Sequence, residues 1–213
     1  MEELTLIQKI ATGAIPIIFA ITVHEAAHGY AARYFGDLTA QYLGRITLNP
    51  LKHIDPVGTI ILPAATLMVG GILFGWAKPV PVNFSNLENP KKDMVWVALA
   101  GPFSNLLMAI FWAFIFARAQ YFPDSAVIFL SEMSKIGVNI NLILMVLNLL
   151  PIPPLDGGRV AVGLLPYPWS SHLENLERYG LFIIIFLLFS GVLSNVIYPV
   201  KYFFTRIIFT IFG

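Results

Sequence analysis

The stretch Ile17-Ile18-Phe19-Ala20-Ile21-Thr22-Val23-His24-Glu25-Ala26-Ala27-His28 sets two imidazoles and a carboxylate inside an otherwise mostly apolar run covering residues 7–35. Such groups are costly in hydrocarbon, so at membrane depth they mark function. On a helix, His24 and His28 share one face a turn apart, with Glu25 beside them. That spacing lets two imidazoles ligate one zinc ion while the carboxylate acts as general base. Counting from Arg33 at ~1.5 Å per residue puts the histidines about 14 Å inside the membrane boundary.

The rest of the chain agrees with a membrane setting. Its 213 residues are 57% hydrophobic and 12% charged, with a mean hydropathy of +0.76, whereas soluble domains carry roughly 25% charge. Apolar stretches at 7–34, 57–75, 94–119, 136–150 with the apolar residues before it, and 181–198 suit the roughly 17 to 25 residues of a spanning helix. A shorter tail, 203–212, suits the interface or a cap on the bundle. The expectation is an all-α, multi-pass protein of about five to six transmembrane or re-entrant helices, forming a single domain over 1–213. The acidic start, Met1-Glu2-Glu3, and the run of the first apolar segment into the histidines argue against a cleavable signal. There is no cysteine, so a metal here is held by nitrogen and oxygen; the net charge of +1 argues against nucleic acid.

Local signals refine the outline. Gly36 suits the position past a helix C-terminus, and Pro16 predicts a kink. Residues 38–48 and 79–83 read as short extended segments, the second because its prolines exclude a helix. Asn89-Pro90 offers an N-cap and first-turn proline for a helix through Ala119. Ser171-His172-Leu173-Glu174 has capping-box spacing and predicts the start of the last long helix.

A third metal ligand is sought among few acids. Asp156 stands out in Asn148-Leu149-Leu150-Pro151-Ile152-Pro153-Pro154-Leu155-Asp156-Gly157-Gly158, where an apolar helix ends in a proline-broken, glycine-rich stretch. Irregular backbone at membrane depth needs protein or a water cavity around it. Asp156 reads either as a ligand on a loop dipping toward the bundle or as a turn residue. With His24 and His28 it would leave a fourth position for water, as in catalytic zinc sites. Asn148 has an amide able to bond a substrate carbonyl or oxyanion. Asn105, in Ala100-Gly101-Pro102-Phe103-Ser104-Asn105, reads as a helix-packing and hydrogen-bonding residue. His53, in Asn49 to Thr59, either assists the site or orders its loop.

These residues resemble the site-two proteases, intramembrane zinc metallopeptidases. The likeness rests on His24-Glu25-Ala26-Ala27-His28, on Gly101-Pro102 with Asn105, and on Asn148 through Gly157. With the 49–59 and 79–83 stretches it covers roughly residues 15–160, its three motifs in the family's order. It implies one zinc per chain bound by His24, His28 and Asp156, Glu25 as catalytic residue, and Asn148 assisting the oxyanion. It also implies membrane-protein substrates cut in or near their spanning segments, in a compact form without PDZ or CBS domains.

For the motifs to meet, residues 57–82 must leave and return on one side, as a re-entrant hairpin or a span with an extended return. Arg33, Arg45, Lys52, Lys78, Lys91, Lys92, Arg159 and Arg178 then share the motif side, against Lys9, Arg118, Lys135, Lys201 and Arg206. That excess turns the site toward the cytoplasmic side of the cell membrane. An extended substrate would pair with an edge strand within 38–48 or 79–83. The rival reading is a metal-ion transporter or metal-binding sensor using the same histidines, separated by whether Glu25 is indispensable. A catalytically dead scaffold is less consistent with the intact residue set.

Overall fold

The computed structural model describes residues 5–70 and 75–212. Helix α1 spans Leu6–Tyr34 and opens on a capping box, in which Thr5 accepts from the Gln8 amide and Gln8 accepts from the Thr5 amide. It runs continuously past the buried Pro16 and stops at Gly36, whose φ of +101° suits glycine. A short α2, Thr39–Tyr42, follows. After a 3₁₀ turn at Pro50–His53 and a π turn at Pro56–Ile61 comes α3, Leu62–Gly70. A 3₁₀ turn at Phe84–Asn86 precedes α4, Pro90–Arg118; then come α5, Asp124–Asn148, and α6, Asp156–Leu164. Helices α7, Trp169–Asn175, α8, Glu177–Phe189, and α9, Val192–Phe212, complete the order.

Among the described residues three stretches are long and apolar enough to cross a membrane: Ile7–Tyr34, Pro90–Tyr121 and Ala126–Asn148. A fourth arises if α8 and α9, bent by 79°, form one broken span. The protein is thus an all-α membrane protein. The span expected at 181–198 is interrupted at Gly191, whose positive φ of 76° lets the chain turn.

The segment after residue 56 does return to where it left. The Trp76 amide donates to the Gly58 carbonyl (3.0 Å), the Lys78 amide to the His53 carbonyl (2.9 Å), and the Thr59 hydroxyl to the Trp76 carbonyl (3.0 Å). Part of the expected turn, 71–74, lies outside the described residues.

Four local expectations are corrected. Residues 38–48 form no strand but α2 and turns, because the buried Asp37 carboxylate accepts from the Thr39 amide and hydroxyl and starts a helical turn. Residues 79–83 are irregular and pair with no strand among the described residues; Pro79 and Pro81 have no amide donor. Asn89 caps nothing with its side chain. Instead Asp93 reaches back to accept from the Asn89 amide at 2.6 Å. Ser171 to Glu174 lie within α7 and do not open the long helix, which begins at Glu177.

Helix α4 is the centre of the bundle, packing on α1, α5 and α6. One core joins Ala109, Trp112 and Ala113 of α4 to Met133, Val138, Leu142, Met145 and Val146 of α5 and to Ile208 of α9. The tail 203–212 therefore closes the bundle through Phe204, Phe209 and Phe212. A second cluster, Ala32, Leu87, Met94, Val97 and Val162, joins α1, α4 and α6.

Candidate metal centre

His24 and His28 lie buried on α1, facing α4, with their Nε2 atoms 3.1 Å apart. Asp156 opens α6, where the helix N-terminus favours a carboxylate. Its Oδ2 is 3.3 Å from His24 Nε2 and its Oδ1 3.3 Å from His28 Nε2. The three side chains each offer a ligand atom, all within 4.8 Å of one another.

Helix α4 sets both imidazoles from behind. His24 Nδ1 lies 2.6 Å from Asn105 Oδ1, and His28 Nδ1 lies 2.8 Å from the Val97 carbonyl. Both partners accept, so the Nδ1 atoms donate and the Nε2 atoms carry lone pairs. Between Val97 and Asn105 sits Gly101, where any Cβ would overlap both rings. Val97, Gly101 and Asn105 are four residues apart, one stripe of α4 laid antiparallel against the His24 and His28 stripe of α1.

The turn that delivers Asp156 is packed just as tightly. A Cβ on Gly157 would overlap the Leu149 and Leu150 carbonyls, one on Gly158 the Pro153 backbone, and one on Gly180 of α8 the Pro153 carbonyl. Arg159, one turn beyond Asp156, pairs with Glu177 of α8.

This donor set fits a divalent metal. Two lone pairs 3.1 Å apart repel each other, and Asp156 Oδ2 is buried without a hydrogen-bond donor. A cation between the three groups satisfies all of them. Nitrogen and oxygen ligands, with each imidazole's far nitrogen tied to an acceptor on α4, match zinc.

Glu25 points elsewhere, toward the 79–83 strap, and its Oε2 accepts from the Val80 amide at 2.7 Å. The strap is held at both ends. Arg45 Nη2 donates to the Lys78 and Pro79 carbonyls (3.0 and 3.2 Å), and Asp37 Oδ2 accepts from the Asn83 amide (2.7 Å). Asp37 Oδ1 also accepts from Asn86 Nδ2 (3.1 Å). Burial acts to raise the Asp37 carboxyl, but the Thr39, Asn83 and Asn86 donors outweigh it and hold the group below the ordinary carboxylate range.

The structure thus brings His24, His28, Asp156 and Asn105 into direct contact. Asn148 donates to the Leu144 carbonyl of its own helix at 3.0 Å. His53 is buried and bonds the Thr47 carbonyl at 2.9 Å, which orders its loop. Val97, Asp37, Val80 and Asn141 were not singled out from sequence. A backbone carbonyl or amide leaves no trace in residue type; Asn141, a polar residue deep in an apolar helix, does.

An apolar helical bundle enclosing two histidines and an aspartate, with a glutamate next to His24 in the chain, has the donor set of an intramembrane metallopeptidase. Residues 121–191 match the model of peptidase family M50. The chain is 39% identical over 189 residues to the Bacillus subtilis protein named "Putative zinc metalloprotease YwhC", covering 87% of this chain and 83% of that one. It is 33% identical over 189 residues to "Putative zinc metalloprotease Rip2" of Mycolicibacterium smegmatis, covering 88% and 70%. No solved structure matches. The chain belongs to peptidase family M50, the site-2 proteases, and is an intramembrane zinc metalloprotease.

Proposed function

We propose that His24, His28 and Asp156 hold the zinc ion, that Glu25 is the proton acceptor, and that the whole chain, 1–213, works as one intramembrane protease domain. The observation that carries this reading is the convergence of two Nε2 atoms and a carboxylate whose other faces are tied off or buried. Bound there, zinc supplies the Lewis acidity that polarises a peptide carbonyl and makes water acidic enough to attack it near neutral pH. Glu25 takes the proton from the attacking water and returns it to the leaving amine. The Val80 amide holds its carboxylate in place meanwhile. Asn148, released from Leu144, stabilises the developing oxyanion. Asn105 supports His24, and His53 shapes the loop that carries the strap.

The substrates are membrane proteins cut in or near a spanning segment, which must unwind to expose a carbonyl. Placing the eight motif-side Lys and Arg residues at the cytoplasmic face puts the site toward the cytoplasmic side of the cell membrane. The test is cleavage of a single-span substrate by detergent-purified protein, with and without a chelator, beside Glu25→Gln. Glu25→Gln should keep zinc and lose cleavage; cleavage surviving both treatments overturns the reading.

A further inference from the structure

We propose that Asn141 is a positioning residue for the metal centre: it fixes which way round the Asn105 amide faces, and thereby which nitrogen of His24 is left bare toward Asp156. The inference rests on the metal reading above. Asn141 lies in α5, is 0% exposed, and stands outside the His24–His28, Gly101–Asn105 and Asn148–Gly157 motifs.

The argument is one of donor and acceptor parity. Asn141 Nδ2 donates to the Gly137 carbonyl, one turn back, at 2.8 Å. A carbonyl only accepts, so the amino group of Asn141 is fixed there and its Oδ1 is turned the other way. That oxygen lies 3.0 Å from Asn105 Nδ2. The Ala20 carbonyl of α1 lies 3.2 Å from the same nitrogen. Two acceptors on one side of Asn105 assign its amino group to that side. Its Oδ1 is then the atom facing His24 Nδ1 at 2.6 Å.

An amide oxygen cannot donate, so His24 Nδ1 carries the ring proton and Nε2 its lone pair. The polarity therefore runs in one direction from Gly137 through Asn141 and Asn105 to His24. Asn105 is also 0% exposed, and each member already has its partner within the bundle, so no solvent is needed to complete the chain. His28 reaches the same state in one step through the Val97 carbonyl. If Asn141 is lost, a flipped Asn105 forfeits only the Ala20 bond, and a flipped amide presents a donor to His24 Nδ1. The wrong ring nitrogen then holds the proton.

The test is a double-mutant cycle read by zinc affinity, using chelator competition on detergent-purified protein. Removing a hydrogen-bond partner of a metal ligand typically weakens metal binding about 10- to 100-fold. Asn105→Ala and Asn141→Ala should each weaken zinc by at least about ten-fold. The double variant should bind no more weakly than Asn105→Ala alone, because Asn141 acts only through Asn105. Losses that multiply in the double variant, or full zinc affinity in Asn141→Ala, overturn the inference. Asn141→Leu, which keeps the volume, replaces the alanine variant should that one not fold. His24→Ala separates the two readings: zinc lost there but kept in Asn141→Ala overturns this inference alone, while zinc kept in both overturns the metal reading with it.

Discussion

The Val80 amide donates to Glu25 Oε2 at 2.7 Å, so the carboxylate next to the histidine pair is held by backbone rather than by another side chain. The donor belongs to a residue flanked by two prolines, and it is anchored from both ends by Arg45 and Asp37. Val80→Pro removes the only amide between Pro79 and Pro81. Misplacing a catalytic group by an ångström costs about 10²-fold. Val80→Pro should lower kcat by about that factor while zinc content stays at the wild-type level, measured by metal analysis beside a cleavage assay.

Gly101 gives a prediction in which helix propensity and site geometry oppose each other. Alanine favours a helix over glycine by about 1 kcal/mol, yet the added methyl group overlaps both imidazoles. Gly101→Ala should keep its helical circular dichroism and lose bound zinc. Wild-type zinc content in that variant would show that the rings do not occupy the positions described.

Asp37 is the buried anchor of the strap, accepting from Thr39, Asn83 and Asn86. Asp37→Asn turns one acceptor into a donor facing other donors and should cost about 2–3 kcal/mol. The sign of the pH effect follows from the depressed carboxyl. Its contribution is fully present above the unfolded value of about 3.9 and is lost as pH falls through the lower folded one. The stability difference between wild type and Asp37→Asn should therefore shrink on acidification below about pH 4. Thermal unfolding in detergent across that window measures it; a constant difference down to pH 2 contradicts the assignment.

Metal removal should be visible in stability as well as in cleavage. A ligand at 100 times its Kd stabilises the folded state by about 2.7 kcal/mol. Chelation should lower the unfolding midpoint of the wild type and leave that of His24→Ala unmoved. Equal shifts in both proteins would place the stabilising metal elsewhere.

How far the sequence anticipates this depends on the range of each interaction. The apolar runs and the 24–28 pentapeptide act locally and read directly as helices and as a spacing on one face. The helix at 39–42 does not, because Thr39 and Tyr42 suggest a strand until the buried Asp37 carboxylate beside them is known. The break at Gly191 is hidden in a run whose hydropathy is continuous. Val97 acts through its carbonyl, which any residue would supply. Asn141 is the one omission that residue type alone could have corrected, by the same cost of polarity in hydrocarbon that singles out His24.

The stripe of Val97, Gly101 and Asn105 against His28 and His24 means that α1 and α4 fit together like a key in its lock, with a single seating. Sliding either helix by one turn, about 5.4 Å, would bring a side chain level with a ring that now has Gly101 beside it and would strip an imidazole of its acceptor. Register between two apolar helices in lipid, where greasy surfaces discriminate poorly, is thus written in the polar atoms of the active centre itself. Assembly of the bundle and alignment of the site are then one event.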